Sequence, residues 1–421
     1  MTSPNVLDEL DWRGLVAEST DREALRAALG EGSLKFYVGF DPTAPSLHMG
    51  NLVQLTTARR LQDAGHTPYL LVGGATGMIG DPRDSGERTL NTTQTVQEWT
   101  QRLRAQVSQF VSFEGANAAT LVNNWDWTHQ LSVIDFLRDV GKHFPVNRML
   151  ARDTVKRRLE SGISYTEFSY VLLQSMDYLH LFREHGVALQ HGATDQWGNI
   201  TAGAELIRRV TGETAHAFVT PLITKSDGTK YGKTEGGALW LDPEMMSPFA
   251  FHQFWLNVED DKVGELLRIF TFLTREEIEE LEAETAEKPF LRAGQKRLAD
   301  EVTTFVHGQA ETEAAKAAAA ALFGGGDLAE VAPATLAAAL REAGAVSSQV
   351  GAPLVEVLVD AGLAASRSEA RRTLSEGGVY VNNERVSDLE QVVTQDHVLA
   401  GGWLVLRRGK KKFAGVEVTG A

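Results

Sequence analysis

The chain has 421 residues, a net charge of −15, no cysteine and 43% hydrophobic residues. Such a length exceeds one ordinary core, so we expect two or three domains. Without cysteine, the chain has no disulfide framework, no thiolate metal site and no cysteine nucleophile. The N-terminus lacks the basic start and apolar core of a secretory signal, and no apolar run is long enough to span a membrane. A cytoplasmic protein is the simplest interpretation.

The negative charge is unevenly distributed along the chain. Residues 353–421 hold 9 Lys+Arg and 9 Asp+Glu, so the remainder holds 32 of the 41 basic and 47 of the 56 acidic residues. The neutral tail ends in Arg407-Arg408-Gly409-Lys410-Lys411-Lys412. A basic cluster of this kind on an acidic protein indicates a local surface for nucleic acid.

Short apolar runs alternate with helical patterns in the first part of the chain. Residues 35–40 and 69–72 are predicted strands, and residues 51–64 between them form a predicted helix that stops at Gly65. This strand–helix–strand unit predicts a parallel sheet that binds ligands at the carboxyl ends of its strands. Further predicted helices lie at residues 92–110, 133–140, 147–161 and 167–182, followed by a strand at 187–190.

Composition and periodicity divide the rest of the chain. We predict an α/β, Rossmann-like domain over 1–235, with a helical insertion at about 112–165. An all-α domain over 236–323 follows. The glycine- and alanine-rich stretch 324–352 is a predicted linker, although residues 335–343 could hold a helix. Residues 353–421 form a predicted small α+β module.

Two short segments carry the strongest chemical signal. The first, Pro42 to Asn51, follows a predicted strand and opens a helix, where free backbone N–H groups attract anions. It contains His48, and Gly50 lets a nucleotide approach closely. The second is Lys230-Tyr231-Gly232-Lys233-Thr234, whose lysines can stabilise a polyphosphate. Asp227 occupies the place where a phosphate-loop motif needs glycine, so a phosphate-loop NTPase is disfavoured.

These two segments resemble the two signature motifs of class I aminoacyl-tRNA synthetases. Further stretches resemble bacterial tyrosyl-tRNA synthetases along almost the whole chain. They are Tyr37-Val38-Gly39-Phe40-Asp41-Pro42-Thr43, Gly73-Gly74-Ala75-Thr76-Gly77-Met78-Ile79-Gly80-Asp81-Pro82, Phe168-Ser169-Tyr170 with Gln174 and Asp177, and Asp195-Gln196-Trp197-Gly198-Asn199-Ile200.

The resemblance implies a tyrosine–tRNA ligase that condenses L-tyrosine with ATP and passes the tyrosyl group to its tRNA. It implies ATP as a substrate with Mg²⁺, no tightly bound cofactor, no resident metal and a homodimer built through the insertion. The nearest rival is a tryptophanyl enzyme, which would not need polar groups around a phenol. The rival from another class is an RNA-binding regulatory protein on a synthetase scaffold.

By resemblance, Tyr37 and Asp177 meet the phenol oxygen of tyrosine, and a second group surrounds its ammonium group and the rest of the substrate. Tyr170, Gln174 and Asp177 are spaced i, i+4 and i+7, so they line one face of a helix. Buried polar groups of a ligand must be paired, because unpaired burial is costly. The second group comprises Thr76, Asp81, Tyr170, Gln174, Gln190 and Gln196.

The implied nucleotide site follows the same two segments. No general base is needed, since the attacking tyrosine carboxylate is already ionised at neutral pH. Catalysis then depends on positioning and on stabilising the departing pyrophosphate. The implied catalytic residues are Thr43, His48, Asn51, Arg88, Lys230, Lys233 and Thr234. The implied ATP-binding residues are Gly39, Asp41, His48, Gly50, Gly192, Asp195 and Lys233.

The chain departs from the family pattern at a few positions. The segment after Pro82 is shorter than usual, so either Arg83 or Arg88 could contact phosphate. Asn51 replaces the final histidine of the first signature and keeps a donor. Ala193 stands where a second glycine is common, and His191 stands in place of an aliphatic residue.

For tRNA, the resemblance implies two groups of contacts. The last 70 residues or so resemble a small RNA-binding module shared by a ribosomal protein and pseudouridine synthases, and arginines on one helix beside a basic strand suit RNA backbone recognition. The acceptor-arm residues, which could act across the two subunits of the dimer, are Asn147, Arg152, Arg208 and Arg209. The residues of the C-terminal module are Arg371, Arg372, Arg407, Arg408, Lys410, Lys411 and Lys412.

Overall fold

The computed structural model describes residues 5–82, 86, 90–224, 226, 228–229, 231, 233–234, 237–323, 326–409 and 412–419. The chain forms two compact units. The first comprises Met1–Asp242 with Glu259–Gly294, and the second comprises Pro243–Val258 with Gln295–Ala421. Within the described ranges, no helix has the length and apolar character needed to cross a membrane.

The regular elements are numbered along the chain. The strands are β1 (Glu18–Ser19), β2 (Lys35–Phe40), β3 (Thr67–Val72), β4 (Thr120–Asn123), β5 (Leu189–Ala193), β6 (His216–Thr220), β7 (Lys233–Thr234), β8 (Gly237–Ala238), β9 (Val346–Gln349), β10 (Val379–Val381), β11 (Glu384–Val386), β12 (Trp403–Arg408) and β13 (Lys412–Thr419). The helices are α1 (Val6–Trp12), α2 (Arg22–Gly30), α3 (Met49–Asp63), α4 (Thr76–Ile79), α5 (Thr93–Val107), α6 (Trp125–Thr128), α7 (Val133–Asp135), α8 (Val146–Leu150), α9 (Asp153–Arg158), α10 (Tyr165–His185), α11 (Trp197–Thr211), α12 (Pro248–Leu256), α13 (Val263–Phe270), α14 (Arg275–Glu287), α15 (Ala293–His307), α16 (Gln309–Leu322), α17 (Pro333–Glu342), α18 (Leu354–Asp360) and α19 (Arg367–Ser375).

The first unit is built on a six-stranded sheet in the order β1-β6-β5-β2-β3-β4. Strands β2 to β6 are parallel, and β1 pairs antiparallel with β6 at one edge. The predicted α/β fold with a parallel sheet is confirmed. Strand order reverses between β2 and β5, and this reversal opens a crevice at the carboxyl ends of the two strands.

Helices α3 and α10 position most of the predicted site. The face of α3 predicted to be apolar is fully buried, since Leu52, Leu55, Ala58 and Leu61 are each 0% exposed. Helix α10 begins after Ser164, whose side chain accepts a hydrogen bond from the Glu167 N–H. It ends at Gly186, where φ is 69°, a conformation that costs glycine little.

The segment between β4 and α10 is more broken than its periodicity predicts. A π-helical turn over Phe136–Val140 and a 3₁₀ turn over Gly141–His143 follow α7. The predicted helix 147–161 is divided into α8 and α9 because Arg152, with ψ of 136°, is extended. Strand β4 lies inside the predicted insertion 112–165 yet pairs with β3 in the main sheet.

The predicted all-α domain over 236–323 is divided between the two units. Helices α13 and α14 belong to the first unit. The buried guanidinium groups of Arg13 and Arg60 both donate to carbonyl oxygens at the end of α13, including that of Thr271. The carbonyl oxygens at a helix end have no partners within the helix. Arg13, which follows α1, and Arg60, on α3, therefore bind the end of α13 within the first unit.

The predicted linker 324–352 contains regular structure: a helix overlaps the one that residues 335–343 could hold, and a strand that was not predicted follows it. It holds α17 and β9, and β9 pairs in parallel with β13 of the C-terminal sheet, whose order is β11-β10-β12-β13-β9. Leu336 and Leu340 of α17 lie in one apolar cluster with Trp403 and Val405 of β12. Shared burial of apolar side chains therefore joins this segment to the C-terminal module.

Candidate active site

A cavity of about 690 Å³ lies at the crevice between β2 and β5 in the first unit. Parallel sheets commonly bind ligands at such a reversal of strand order. The cavity brings together predicted residues from several separate segments of the chain. These lining residues are Tyr37, Gly39, Asp41, Thr43, His48, Gly50, Asn51, Thr76, Asp81, Arg152, Tyr170, Gln174, Asp177, Gln190, Gly192, Asp195 and Gln196.

Tyr37 and Asp177 lie together at the buried part of this cavity. Tyr37 is 1% exposed and Asp177 is 2% exposed. Burial raises the pKa of the Tyr37 phenol well above its usual value, and the nearby Asp177 carboxylate raises it further. Among the described residues, the Tyr37 oxygen has no hydrogen-bond partner of normal geometry, although the Gln190 side chain lies beside it. A polar ligand group can therefore complete this pair.

Two residues that the sequence interpretation missed hold the Asp177 carboxylate. Asn124 Nδ2 donates to one oxygen at 2.9 Å, and Trp127 Nε1 donates to the other at 2.8 Å. Both residues come from the region between β4 and α7. They are 50 or more positions away from Asp177 in the sequence, so only the folded structure reveals their contact with its carboxylate. Burial nevertheless outweighs these hydrogen bonds and raises the pKa of Asp177 to about 7.

Asp81 forms a second, partly buried carboxylate site. Gln196 Nε2 donates to one oxygen at 2.7 Å, and Asn199 Nδ2 donates to the other at 3.0 Å. Burial raises the pKa of Asp81 to about 6, and the Asp41 charge adds to this effect. Asn199 is a further residue whose role the sequence interpretation did not assign. A cationic ligand group would stabilise the ionised form of Asp81.

Asp41 is held by two hydroxyl groups. Tyr170 donates its phenolic O–H to Asp41 over 2.6 Å, and Thr76 donates to the other carboxylate oxygen over 2.7 Å. The adjacent chain reversal needs glycine, because a Cβ at Gly73 would lie 2.0 Å from Asp41 Oδ1. The Oε1 atom of Gln174 is buried with no hydrogen-bond partner among the described residues.

His48 forms the N-cap of α3. Its Nδ1 accepts a hydrogen bond from the Gly50 N–H at 3.1 Å, and its own N–H donates to Asn51 Oδ1 at 3.0 Å. Since Nδ1 is an acceptor in the neutral ring, Nε2 carries the hydrogen and can donate. A Cβ at Gly50 would approach His48 Cε1 to 3.0 Å. The helix start therefore presents an imidazole N–H and backbone donors to an anion.

Backbone hydrogen bonds join the residues that follow the second predicted phosphate segment to the first segment. Strands β7 and β8 pair as a hairpin, and the residues after β8 contact the start of α3. Met49 N–H donates to Leu239 at 3.0 Å, and Leu241 N–H donates to Leu47 at 2.9 Å. Arg83, Arg88, Lys230 and Gly232 lie outside the described residues, as do the side chains of Lys233 and Thr234.

The residues predicted to bind the tRNA acceptor arm have varied surroundings. Arg152 lies in the cavity wall, where it donates to Asn199, and burial lowers its pKa. Arg208 is exposed. Arg209 is partly buried and donates a hydrogen bond to the His143 carbonyl. Both pair with Glu205 and lower its pKa to about 2. Asn147 is exposed.

The basic residues of the C-terminal module fall into two groups. Arg371, Arg372 and Lys412 are exposed. Arg407, by contrast, is 8% exposed and stacks over Tyr380 at 4.1 Å, and Arg408 pairs with Glu369 at 2.8 Å. The last two arginines thus already have partners within the module. Lys410 and Lys411 lie outside the described residues.

Comparison with known proteins identifies the class. Residues 30–324 match the family of class I tRNA synthetases for tryptophan and tyrosine. The structure is similar to that of a C-terminally truncated Aspergillus nidulans mitochondrial tyrosyl-tRNA synthetase, with a TM-score of 0.67 and 30% identity, covering 74% of this chain and 92% of that one. The fold is that of a class I tRNA synthetase.

The remaining matches show to which family within this class the chain belongs. Residues 338–416 match the C-terminal domain of tyrosine–tRNA ligases, so this match begins within the predicted linker. A tyrosine–tRNA ligase of Streptomyces coelicolor is 59% identical over 99% of this chain and 100% of that protein. One of Leifsonia xyli is 60% identical over 98% of this chain and 94% of that protein. The chain belongs to the tyrosine–tRNA ligase family, which confirms the predicted resemblance.

Proposed function

We propose that this protein activates L-tyrosine with ATP and then transfers the tyrosyl group to a tRNA. One observation carries this proposal: a single cavity holds the partly buried carboxylate of Asp81 and the buried carboxylate of Asp177, together with the buried phenol of Tyr37. Desolvation raises the pKa of both carboxylates. A ligand with an ammonium group and a phenol would compensate both sites, and tyrosine has both.

In the substrate complex, Asp81 binds the tyrosine ammonium group, with Tyr170 and Gln174 beside it. Tyr37 and Asp177 bind the phenol oxygen. Phenylalanine would leave these buried groups unpaired, which is the established basis of discrimination in this enzyme family. Thr76, Gln190 and Gln196 complete the surroundings of the amino acid.

Activation is an in-line displacement at the α-phosphorus of ATP. A tyrosine carboxylate oxygen forms the new P–O bond, and the bond to pyrophosphate breaks, which leaves tyrosyl-adenylate. His48 donates through Nε2 to the phosphates, together with Thr43, Asn51, Lys230, Lys233 and Thr234 and with Arg83 or Arg88. Gly39, Asp41, Gly50, Gly192 and Asp195 face the nucleotide, and Mg²⁺ arrives with ATP as part of the substrate.

In the second step, a hydroxyl of the terminal tRNA ribose attacks the tyrosyl carbonyl, and AMP leaves. Asn147, Arg208 and Arg209 contact the acceptor arm. Arg371, Arg372 and Lys412 contact RNA from the C-terminal module, with Lys410 and Lys411 adding charge. Net positive charge at these places offsets the repulsion from an acidic protein.

A homodimer is part of this proposal, as is a cytoplasmic location. Val133 and Ile134 are 72% and 69% exposed, and Leu137 is 44% exposed, so the insertion presents a short apolar surface. A second copy of the chain would bury this surface. Charging of tRNA takes place where protein synthesis does, which favours the cytoplasm.

Tyrosine-dependent exchange of labelled pyrophosphate into ATP tests the proposed function. The protein should catalyse exchange with tyrosine far better than with phenylalanine or tryptophan. The Asp177→Ala variant should lose most of this activity, while Asp396→Ala in the C-terminal module serves as the matched control. An intact protein that binds tRNA but shows no exchange with any amino acid would instead support a regulatory RNA-binding role.

A further inference from the structure

A histidine is buried in the wall of the cavity, on the side that the proposed function assigns to the nucleotide. His191 lies on β5 and is 1% exposed. Its ring stacks on Phe218 at a centroid distance of 5.4 Å and lies 5.7 Å from the ring of Phe36. Burial in this apolar setting lowers the pKa of His191 to about 3, so the ring is neutral at physiological pH.

His191 begins a chain of hydrogen bonds that ends on the backbone of Gly192. His191 Nδ1 and Gln54 Oε1 are 3.1 Å apart, and Gln54 Nε2 lies 2.7 Å from Thr220 Oγ1. Thr220 Oγ1 in turn donates to the Gly192 carbonyl at 3.4 Å. A carbonyl can only accept, so every donor in the chain points toward Gly192. His191 therefore carries its hydrogen on Nδ1.

These hydrogen-bonded side chains connect two walls of the cavity. Gln54 lies on α3 one turn after Gly50, and Gly192 lies at the end of β5. Gln54, His191 and Gly192 all line the cavity. The start of α3 and the end of β5 are the two parts of the structure that the proposed function assigns to ATP.

We propose that His191 is a positioning residue for ATP, acting through Gln54 and Thr220 to hold the Gly192 backbone at a fixed distance from the start of α3. The inference rests on the proposed function, because it takes this side of the cavity as the nucleotide site. A change of about 1 Å in such spacing is enough to impair a reaction that depends on alignment.

Packing alone does not explain the histidine. An aliphatic side chain could fill the space between Phe36 and Phe218 with no polar atom to satisfy. The Nε2 atom of His191 is buried with no hydrogen-bond partner among the described residues, which is unfavourable. What histidine adds over an aliphatic residue is the Nδ1 donor, and that donor is used to orient Gln54.

Three substitutions of His191 separate positioning from packing. In His191→Asn the amide nitrogen takes the place of Nδ1, in His191→Gln it takes the place of Nε2, and in His191→Leu no donor remains. Affinity for ATP is measured by calorimetry, and KM and kcat by tyrosine-dependent pyrophosphate exchange. Tyrosine affinity and thermal unfolding are measured in parallel.

We expect His191→Leu and His191→Gln to weaken ATP binding and raise the KM for ATP by roughly tenfold, the effect of one lost buried hydrogen bond. Tyrosine affinity should stay within about twofold of the parent value, and His191→Asn should restore most of the ATP affinity. The double variant Gln54→Met with His191→Leu should bind ATP no more weakly than Gln54→Met alone, because both act through one chain.

Two results would overturn the inference. One is parent-like ATP affinity in His191→Leu. The other is an ATP affinity that follows the melting temperature across all three variants, with no recovery in His191→Asn. Failure of the proposed function looks different: the parent protein would show no tyrosine-dependent exchange, while the calorimetric comparison of the variants would still decide whether His191 positions ATP.

Discussion

Trp127 donates its indole N–H to the Asp177 carboxylate over 2.8 Å, so a residue of the α6 segment orients a carboxylate on α10. The indole is itself fixed by stacking on His180 at a centroid distance of 4.3 Å. Asn124 binds the other oxygen of Asp177 and also donates to Thr76. The carboxylate therefore has a defined direction without a ligand, which would reduce the ordering needed if tyrosine binds there as proposed.

Replacing Trp127 with phenylalanine tests this relationship. The change removes a donor that favours the ionised carboxylate, so the pKa of Asp177 should rise further above about 7. At pH 7, kcat/KM for tyrosine in pyrophosphate exchange should fall by roughly tenfold. The rising limb of its pH profile should move to higher pH. Trp125→Phe is the control, because Trp125 stacks on His129 instead. An unchanged pH profile would contradict this role.

Tyrosine should stabilise the protein more at pH 8 than at pH 5. The folded pKa values of Asp81 and Asp177, about 6 and about 7, lie above the usual 3.8. The stability they contribute is therefore full below about pH 4 and is lost as the pH rises through 6 and 7. A difference of one between the folded and unfolded pKa values of a group corresponds to roughly 1.4 kcal/mol. We expect the ammonium group of bound tyrosine to offset the loss of stability at Asp81.

Thermal unfolding with and without tyrosine at the two pH values measures this effect. Asp81→Asn should flatten the pH dependence of the melting temperature, since the amide does not ionise. Equal stabilisation of the parent protein by tyrosine at pH 5 and pH 8 would contradict the placement of its ammonium group beside Asp81.

Substitution of His48 can separate its role in capping α3 from its proposed role in binding phosphate. In His48→Asn the side-chain oxygen can still cap α3, but the Nε2 donor is lost. We expect the activation rate to fall by roughly 100-fold, with tyrosine affinity and the melting temperature little changed. Stopped-flow measurement of adenylate formation gives the rate. A variant with parent-like turnover would rule out a role for Nε2 in stabilising the leaving pyrophosphate.

The apolar surface of the insertion predicts the oligomeric state. Replacing both Val133 and Ile134 with aspartate should convert a dimer to a monomer, because two charges per chain would be buried against the partner copy. Sedimentation velocity at micromolar concentration measures the mass. Phe290→Asp is a control, since Phe290 is 79% exposed but lies outside the insertion. A parent protein that sediments as a monomer would disprove the proposed dimer.

The arginines of the C-terminal module should differ in their effects. Replacing exposed Arg371 and Arg372 with alanine should reduce tRNA charging and its salt dependence while leaving pyrophosphate exchange unchanged. Arg407→Ala should instead lower the free energy of unfolding by roughly 1–3 kcal/mol, because it loses its hydrogen bonds and its stacking on Tyr380. If Arg407→Ala reduced charging without loss of stability, that arginine would contact RNA after all.

Much of the first unit follows from local sequence. The run of apolar residues predicts β2, and the face of Leu52, Leu55, Ala58 and Leu61 predicts α3, because burial of one helix face requires that spacing. The motif residues Tyr37, His48, Asp81 and Asp177 are recognisable in the sequence alone, and the fold brings them into one cavity. These residues can be recognised without a structure because each lies in a short sequence motif.

Tertiary structure decided everything that depends on distant partners. Within the predicted linker 324–352, α17 lies where the sequence left a helix open at 335–343, but its partner on the apolar face, Trp403, is defined only in the folded unit. Arg371 and Arg407 look alike in sequence, yet burial leaves one exposed and stacks the other. The hydrogen bond from Asn199 to Asp81 spans 118 positions, and that between His191 and Gln54 spans 137. Local periodicity reports which face of an element is apolar, but not which polar group from elsewhere in the chain will meet it.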